Sequence, residues 1–118
     1  MAVVGVGIDL CSIARWEAML QRRPGLLQRI LNPAEAATST ASQAARWAAK
    51  EALAKAIGAP AGMAWLDSEV VRTESGAPRF EVRGSVAARV AELGITTIHL
   101  SMSHDGGMAT AIVICEDA

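Results

Sequence analysis

The stretch "ARWAAKEALAKAIG", Ala45–Gly58, contains six alanines and four charged side chains. Alanine is the strongest helix former, and Gly58 with Pro60 just beyond it is a common stop signal. The stretch therefore predicts a well-bounded helix that ends at Gly58. Its charges need a separate explanation, because they fall within about three helical turns.

Helical spacing arranges these charges into two neighbouring stripes. One stripe carries Trp47, Glu51 and Lys55, and the next carries Arg46 and Lys50. Glu51 four residues before Lys55 is also the pattern of a solvated ion pair worth about 0.3 to 0.5 kcal/mol. A stripe that begins with tryptophan is half buried, however, so both charges would need partners. A hard cation for Glu51 and an anion for Lys55 meet that need, whereas Lys50 needs only solvent.

Length and composition indicate one domain spanning residues 1–118. Only three Trp and one Phe contribute aromatic bulk, so small aliphatic side chains fill the core and self-association is expected. The net charge of −1 argues against non-specific nucleic-acid binding. Cys11 and Cys115 form no disulfide framework, and the start of the chain has neither a signal peptide nor a membrane span. We therefore expect a cytoplasmic protein.

The first half of the chain predicts a strand followed by helices. "AVVGVGIDL" is a buried strand that ends near Asp9, and Ser12 then caps a helix. The segment "LLQRIL" forms a second short helix, and "NPAE" carries a capping box between Asn32 and Glu35. The patch "ATSTASQ" is predicted to be a mobile connection before the alanine-rich helix.

The second half predicts antiparallel hairpins. "LDSEVVR" and "RFEVR" pair through the turn "TESGAP", and Ser85 caps the helix "VAARVAEL". "TTIHLSMSH" turns at "DGG" and returns as "MATAIVICE", with Ile98, Leu100 and Met102 on one face. Early helices and late hairpins indicate an α+β fold, a single compact domain with antiparallel hairpins packed on helices.

Several residues are candidates for chemistry, each with a structural alternative. Gly5 and Gly7 lack the third glycine of a dinucleotide fingerprint, so close backbone packing is the simpler interpretation. Asp9 at the end of an apolar strand caps a helix, pairs with a base or binds a cation. His104 and Asp105 lie at a strand end, where a structural His and ordinary hairpin chemistry are also expected.

Three motifs in order, "GVGIDLCSIAR", "ARWAAKEALAKAIG" and "HLSMSHDGGMATAIVI", resemble the holo-acyl-carrier-protein synthases, the AcpS-type 4′-phosphopantetheinyl transferases. The resemblance covers nearly the whole chain and implies the α+β 4′-phosphopantetheinyl transferase-like fold. It implies Mg²⁺-dependent transfer of the phosphopantetheine arm of coenzyme A to a serine hydroxyl of an acyl carrier protein. Adenosine 3′,5′-bisphosphate is the other product.

The resemblance also implies roles for individual residues. Asp9 and Glu51 are the Mg²⁺ ligands and, with Lys55 and His104, the catalytic set. Contacts to coenzyme A are implied for Arg46, Lys55, Gly76, Pro78, Ser103 and His104, with Gly76 and Pro78 beside the adenine. Two carboxylates leave several metal positions for water and phosphate oxygen, which suits Mg²⁺ at a phosphoryl-transfer site. A metal-bound water or a nearby side chain is the expected base.

Partners are implied as well. Arg15 and Arg22 belong to a segment with four arginines and one acid, Glu17, a local net charge of +3 that suits an acidic acyl carrier protein. The resemblance implies a homotrimer with sites between subunits. The chain departs from the family pattern at Asn32, where many relatives have Thr. We expect this difference to affect which carrier is selected. A non-catalytic binding module and a purely structural trimer subunit remain as alternatives.

Overall fold

The computed structural model covers residues 1–118 and contains five α-helices and five strands. The helices are α1 (Ile13–Arg22), α2 (Leu26–Ile30), α3 (Pro33–Ala36), α4 (Thr40–Ala56) and α5 (Gly84–Glu92). The strands are β1 (Val3–Ser12), β2 (Ser68–Arg72), β3 (Pro78–Val82), β4 (Ile95–Asp105) and β5 (Met108–Asp117). A short 3₁₀ turn, Trp65–Asp67, precedes β2.

All strand pairs are antiparallel. Strands β1, β5 and β4 form a three-stranded sheet in that order, and β2 and β3 form a separate hairpin. Helix α4 packs across the larger sheet, and the predicted inward face of Ile98, Leu100 and Met102 on β4 packs against the same core. The α+β fold class, with antiparallel hairpins packed on helices, is confirmed.

Helix α4 and strand β1 are in direct backbone contact. A Cβ built on Gly5 would lie 2.0 Å from the carbonyl oxygen of Ala56, and one built on Gly7 would lie 1.8 Å from that of Ala52. Real Cβ atoms do not approach oxygen so closely, so only glycine fits at either position. The packing interpretation of these two glycines is confirmed. The contact brings Glu51 and Lys55 of α4 next to the face of β1 that carries Asp9.

The predicted mobile connection is wrong in its second half. Helix α4 begins at Thr40, because the side chain of Ser39 accepts a hydrogen bond from the backbone N–H of Ser42 at 3.2 Å. The amide Nε2 of Gln43 donates to the carbonyl oxygens of Ala36 (2.8 Å) and Thr38 (3.3 Å). These bonds hold the short link between α3 and α4 and extend the helix by a turn.

The predicted caps at Ser12 and at Asn32 are confirmed. Ser12 Oγ accepts from the backbone N–H of Arg15 at 3.3 Å, and Asn32 and Glu35 form the capping box at the start of α3.

The cap predicted at Ser85 is wrong. Helix α5 already begins at Gly84, and the hydroxyl of Ser85 donates instead to Asp67 Oδ2 at 2.7 Å. The backbone N–H of Ser85 donates to the same oxygen at 2.8 Å. These hydrogen bonds lower the pKa of Asp67. The carboxylate of Asp67, which is distant in the chain, therefore accepts from the first turn of α5 in place of the Ser85 hydroxyl.

Gly7→Ala tests the contact between β1 and α4. We expect a loss of at least about 3 kcal/mol in the free energy of unfolding, because the added methyl group must displace the backbone of Ala52. Urea denaturation measures it. Thr97→Ala, on the exposed face of the same sheet, is the control and should cost less than about 1 kcal/mol. Equal stability of Gly7→Ala and the parent protein would contradict the contact.

Candidate active site

Three of the predicted catalytic residues meet where β1 passes α4. Asp9 lies on the strand face that packs on the helix, and Glu51 and Lys55 are one turn apart on α4. Lys55 Nζ donates to Asp9 Oδ1 at 2.9 Å and to the carbonyl oxygen of Ile8 at 3.0 Å. The side chain of Asp9 is 12% exposed and that of Lys55 is 58% exposed. Asp9 is therefore held in place by a lysine whose side chain remains more than half exposed.

Glu51 and Asp9 form a carboxyl pair. Burial, the hydrogen bond to Asp9 and the negative charge of Asp9 together raise the pKa of Glu51 to about 7, against the opposing effect of Lys55. Two acids placed together hold a proton in this way when no cation lies between them. The arrangement fits a divalent cation, which would replace the proton. No group of three or more His, Cys, Asp or Glu side chains is arranged to hold a metal ion, so the protein would supply only these two carboxylates as ligands.

A cavity of about 260 Å³ leads away from the carboxyl pair along α1. Its lining includes Asp9, Glu51, Cys11, Arg15, Trp16, Met19, Arg22 and Trp47. Asp9 and Glu51 contribute the carboxyl groups of this lining. Helix α1 contributes Arg15 and Arg22, the two arginines predicted to bind a partner. The structure therefore brings the predicted metal ligands and the predicted docking residues to one cavity. Asp9 and Lys55 also line a shallow depression of about 430 Å³, together with Ile8, Leu10 and Thr110.

The three tryptophans of the chain contact one another in a row beside this cavity. The ring centroids of Trp16 and Trp47 are 6.2 Å apart, and those of Trp47 and Trp65 are 4.7 Å apart. Trp16 belongs to α1 and Trp47 to α4, so the row joins the two helices that line the cavity. Indole Nε1 of Trp16 also donates to Gln43 Oε1 at 3.2 Å.

A second cavity, of about 250 Å³, collects the predicted coenzyme A contacts Arg46, Ser103 and His104. Burial and then repulsion by Arg72 lower the pKa of Arg46, while Glu35 opposes the change. Two neighbouring guanidinium groups and an imidazole favour an anion. This cavity shares no lining residue with the cavity at the carboxyl pair.

Arg72 is a lining residue that the sequence interpretation missed. It is the last residue of β2, and its Nη1 donates to the carbonyl oxygen of Gly76 at 2.6 Å. Pro78 pairs with Arg72 across the β2–β3 hairpin. The predicted adenine contacts Gly76 and Pro78 are thereby linked to the second cavity. The sequence feature that could have identified Arg72 is a basic residue at the end of a strand of alternating polarity, directly before the turn. Asp105 lines neither cavity.

Lys50 is not a solvent-exposed residue, as the sequence had indicated, but a buried one. It is 1% exposed, and its Nζ lies 2.8 Å from Glu35 Oε1. Burial lowers the pKa of Lys50, and the hydrogen bond and charge of Glu35 oppose that change. The sequence interpretation assigned Glu35 only to a capping box, so the long-range partner of Lys50 was missed.

Comparison with known proteins places the chain in a family. The family model described as the 4′-phosphopantetheinyl transferase superfamily matches residues 5–113. The chain belongs to this superfamily. The predicted family is confirmed. None of its helices has both the length and the apolar character needed to cross a membrane.

Similar proteins in this superfamily include both curated relatives and solved structures. The holo-(acyl-carrier-protein) synthase of Cutibacterium acnes is 53% identical over 97% of this chain and 98% of its own. The crystal structure of the synthase from Neisseria meningitidis superposes with a TM-score of 0.89 at 28% identity, covering 98% of this chain and 100% of that one. The crystal structure of the synthase from Helicobacter pylori in complex with coenzyme A superposes with a TM-score of 0.82 at 31% identity. It covers 94% of this chain and 99% of that one.

Proposed function

We propose that this transferase moves the 4′-phosphopantetheine arm of coenzyme A to a serine hydroxyl of an apo acyl carrier protein and releases adenosine 3′,5′-bisphosphate. The observation that carries the proposal is the Asp9–Glu51 carboxyl pair, with Lys55 beside it and a cavity leading to Arg15 and Arg22. The relative from Cutibacterium acnes is named as a holo-(acyl-carrier-protein) synthase, and the Helicobacter pylori structure holds coenzyme A. Both support the same substrate pair here.

Asp9 and Glu51 would hold Mg²⁺ in this reaction. Two carboxylates suit Mg²⁺, which keeps water and phosphate oxygens as its other ligands. When bound, the ion supplies neutralisation of charge on the pyrophosphate of coenzyme A. The side chain of Lys55 is 58% exposed, and its ammonium group lies 2.9 Å from Asp9, so Lys55 can also contact a phosphate oxygen at this place.

The transfer replaces one phosphorus–oxygen bond with another. The serine oxygen of the carrier forms a bond to the phosphorus that bears the pantetheine arm, and the bond from that phosphorus to the bridging oxygen breaks. The bridging oxygen leaves with adenosine 3′,5′-bisphosphate, and the serine proton passes to a water or a side chain acting as base. Lys55 stabilises the charge that develops on the phosphate oxygens.

The nucleotide end of coenzyme A is assigned to the second cavity. Arg46, Ser103 and His104, with Arg72, supply cationic and polar groups for a phosphate, and Gly76 and Pro78 border the adenine. Because this cavity is separate from the carboxyl pair within one protomer, a complete site would combine the carboxyl pair of one subunit with the second cavity of a neighbour. A homotrimer with sites between subunits meets this requirement.

The outer face of β1 supports self-association. Val6, Ile8 and Leu10 are 56%, 62% and 65% exposed, and they alternate with the residues that face α4. Ile112 extends the apolar surface onto the neighbouring strand β5, where it pairs with Ile8. A continuous apolar strip of this kind is typical of an interface, and a second copy of the chain is the occupant we propose.

Incubation with coenzyme A, Mg²⁺ and an apo acyl carrier protein, followed by mass spectrometry of the carrier, tests the function. We expect the carrier to gain the mass of phosphopantetheine, and we expect the gain to disappear with a chelator or in Glu51→Gln, which removes one carboxylate of the pair. Glu17→Gln, an acid of α1 outside the cavity lining, is the matched control and should transfer normally. Coenzyme A binding without any mass gain would instead support a non-catalytic binding module.

Arg15→Glu tests the docking role of α1. Reversal of one charge should raise the KM for the carrier at low salt about tenfold and leave the KM for coenzyme A unchanged, because a rim charge acts mainly on association with the acidic partner. Steady-state kinetics at two salt concentrations measure both constants. The same result is expected for Arg22→Glu. An unchanged KM for the carrier at low salt would exclude this docking surface.

Ile8→Asp tests the assembly. A charge in the centre of the apolar strip should convert the trimer to monomers and abolish transfer, because each site would lose the residues of its neighbour. Sedimentation velocity and the transfer assay follow the two effects. Thr97→Ala, at the polar edge of the same sheet, should leave both unchanged. Full activity of a monomeric Ile8→Asp variant would show that one protomer holds a complete site.

A further inference from the structure

The buried ion pair between Lys50 and Glu35 has no role in the chemistry proposed above. Both side chains are fully buried, with 0% exposure, and Lys50 lines neither cavity. Lys50 Nζ forms an ion pair with Glu35 Oε1 at 2.8 Å and donates to the carbonyl oxygen of Ile30 at 2.9 Å and to that of Trp65 at 3.2 Å. The ammonium group therefore has three oxygen partners.

The carboxylate of Glu35 is equally well satisfied. Its Oε1 accepts from the backbone N–H of Asn32 at 2.7 Å and from Asn32 Nδ2 at 3.0 Å, and its Oε2 accepts from the backbone N–H of Val70 at 2.8 Å. Asn32 Nδ2 also donates to the carbonyl oxygen of Ser68 at 3.1 Å. Through Lys50, this network ties α4 to α2, α3, the 3₁₀ turn and β2.

On the side of α4 that faces β1, Lys55 donates hydrogen bonds to Asp9 and to a carbonyl oxygen of β1, and the Lys55 side chain is 58% exposed. This side also presents alanines such as Ala52 and Ala56 to the glycines of β1. Contacts between such small groups hold the helix close but resist rotation about its axis weakly, and an ion pair made by an exposed lysine adds little to that resistance. The two hydrogen bonds and the buried ion pair of the Lys50 ammonium group are directional together, and they fix the rotation.

Rotation of α4 bears directly on the carboxyl pair, since Glu51 is the next residue after Lys50. A side-chain end lies about 6 Å from the helix axis, so a rotation of about 10° moves it by about 1 Å. A displacement of about 1 Å at a catalytic group costs about 100-fold in rate.

We propose that Lys50 is a positioning residue, which through its buried contacts with Glu35, Ile30 and Trp65 sets the rotation of α4 so that Glu51 faces Asp9. The inference rests on the proposed transferase function. A buried ion pair adds little net stability over apolar residues of similar volume, whereas it gives a helix one defined orientation. Lys50 lines none of the three cavities described above, so it acts through Glu51 and not on the substrate.

The test compares Lys50→Met, Glu35→Gln and the double variant with the parent protein. Lys50→Met alone leaves the Glu35 carboxylate buried without its cation, and its Tm should fall strongly. The double variant removes both charges, and its Tm should recover most of the loss. Its kcat should nevertheless be about 100-fold below that of the parent, with the KM for coenzyme A little changed. The rise in Tm that Mg²⁺ produces without substrate should be reduced as well.

Two further variants separate positioning from stability. Arg89→Met removes a cation that donates to the carbonyl oxygen of Ile57 at the end of the same helix, so it should lower Tm but keep kcat. Asn32→Ala keeps both charges and loses the amide contacts to Glu35 and Ser68, so it should lower kcat even if the double variant does not fold.

Transfer at the parent kcat by a folded double variant, or by Asn32→Ala, would overturn the inference. The inference would also be overturned if kcat fell in proportion to Tm in every variant, with Arg89→Met losing as much kcat as the Lys50, Glu35 and Asn32 variants of equal Tm. If the parent protein itself transfers nothing, the proposed function fails first and the inference fails with it. The parent assay therefore distinguishes the two failures.

Discussion

The absence of two Cβ atoms is the constraint on which the rest of the structure depends. Gly5 and Gly7 let the backbone of α4 approach β1 until a methyl group on either glycine would overlap a helix carbonyl oxygen. Asp9, two residues beyond Gly7 on the same strand face, then comes within reach of Glu51 and Lys55. A larger separation would still permit a folded sheet and helix, but the two carboxyl groups would no longer share a proton or a cation.

The four charges of the alanine-rich helix have four different environments. Lys50 is locked in a buried network, Glu51 meets Asp9, Lys55 reaches solvent, and Arg46 lines a cavity on another side. Small neighbouring side chains make this possible, because they leave room for long charged ones between the helix and its surroundings. The same helix thus serves as the main core element and as the source of three candidate site residues, Arg46, Glu51 and Lys55.

The sequence predicted the local features of the fold well, because their causes are local. The first strand, the cap at Ser12, the capping box at Asn32 and the later hairpins all depend on neighbouring residues. The sequence predicts that strand to be buried and to end near Asp9, whereas it runs to Ser12 and its outer face is exposed. The other failures involve partners that are distant in the chain. Ser85 finds Asp67, and Lys50 finds Glu35, which already had a sufficient local role. Arg72 joins the second cavity only because the β2–β3 hairpin folds beside α4.

The row of Trp16, Trp47 and Trp65 has an optical consequence. The chain contains no tyrosine and only these three tryptophans, so its near-ultraviolet fluorescence originates from one small cluster. Two of the three indoles line the cavity beside the carboxyl pair. Emission from the protein therefore reports, without an added label, on the wall of this cavity and on Trp65, which packs edge-on against Trp47.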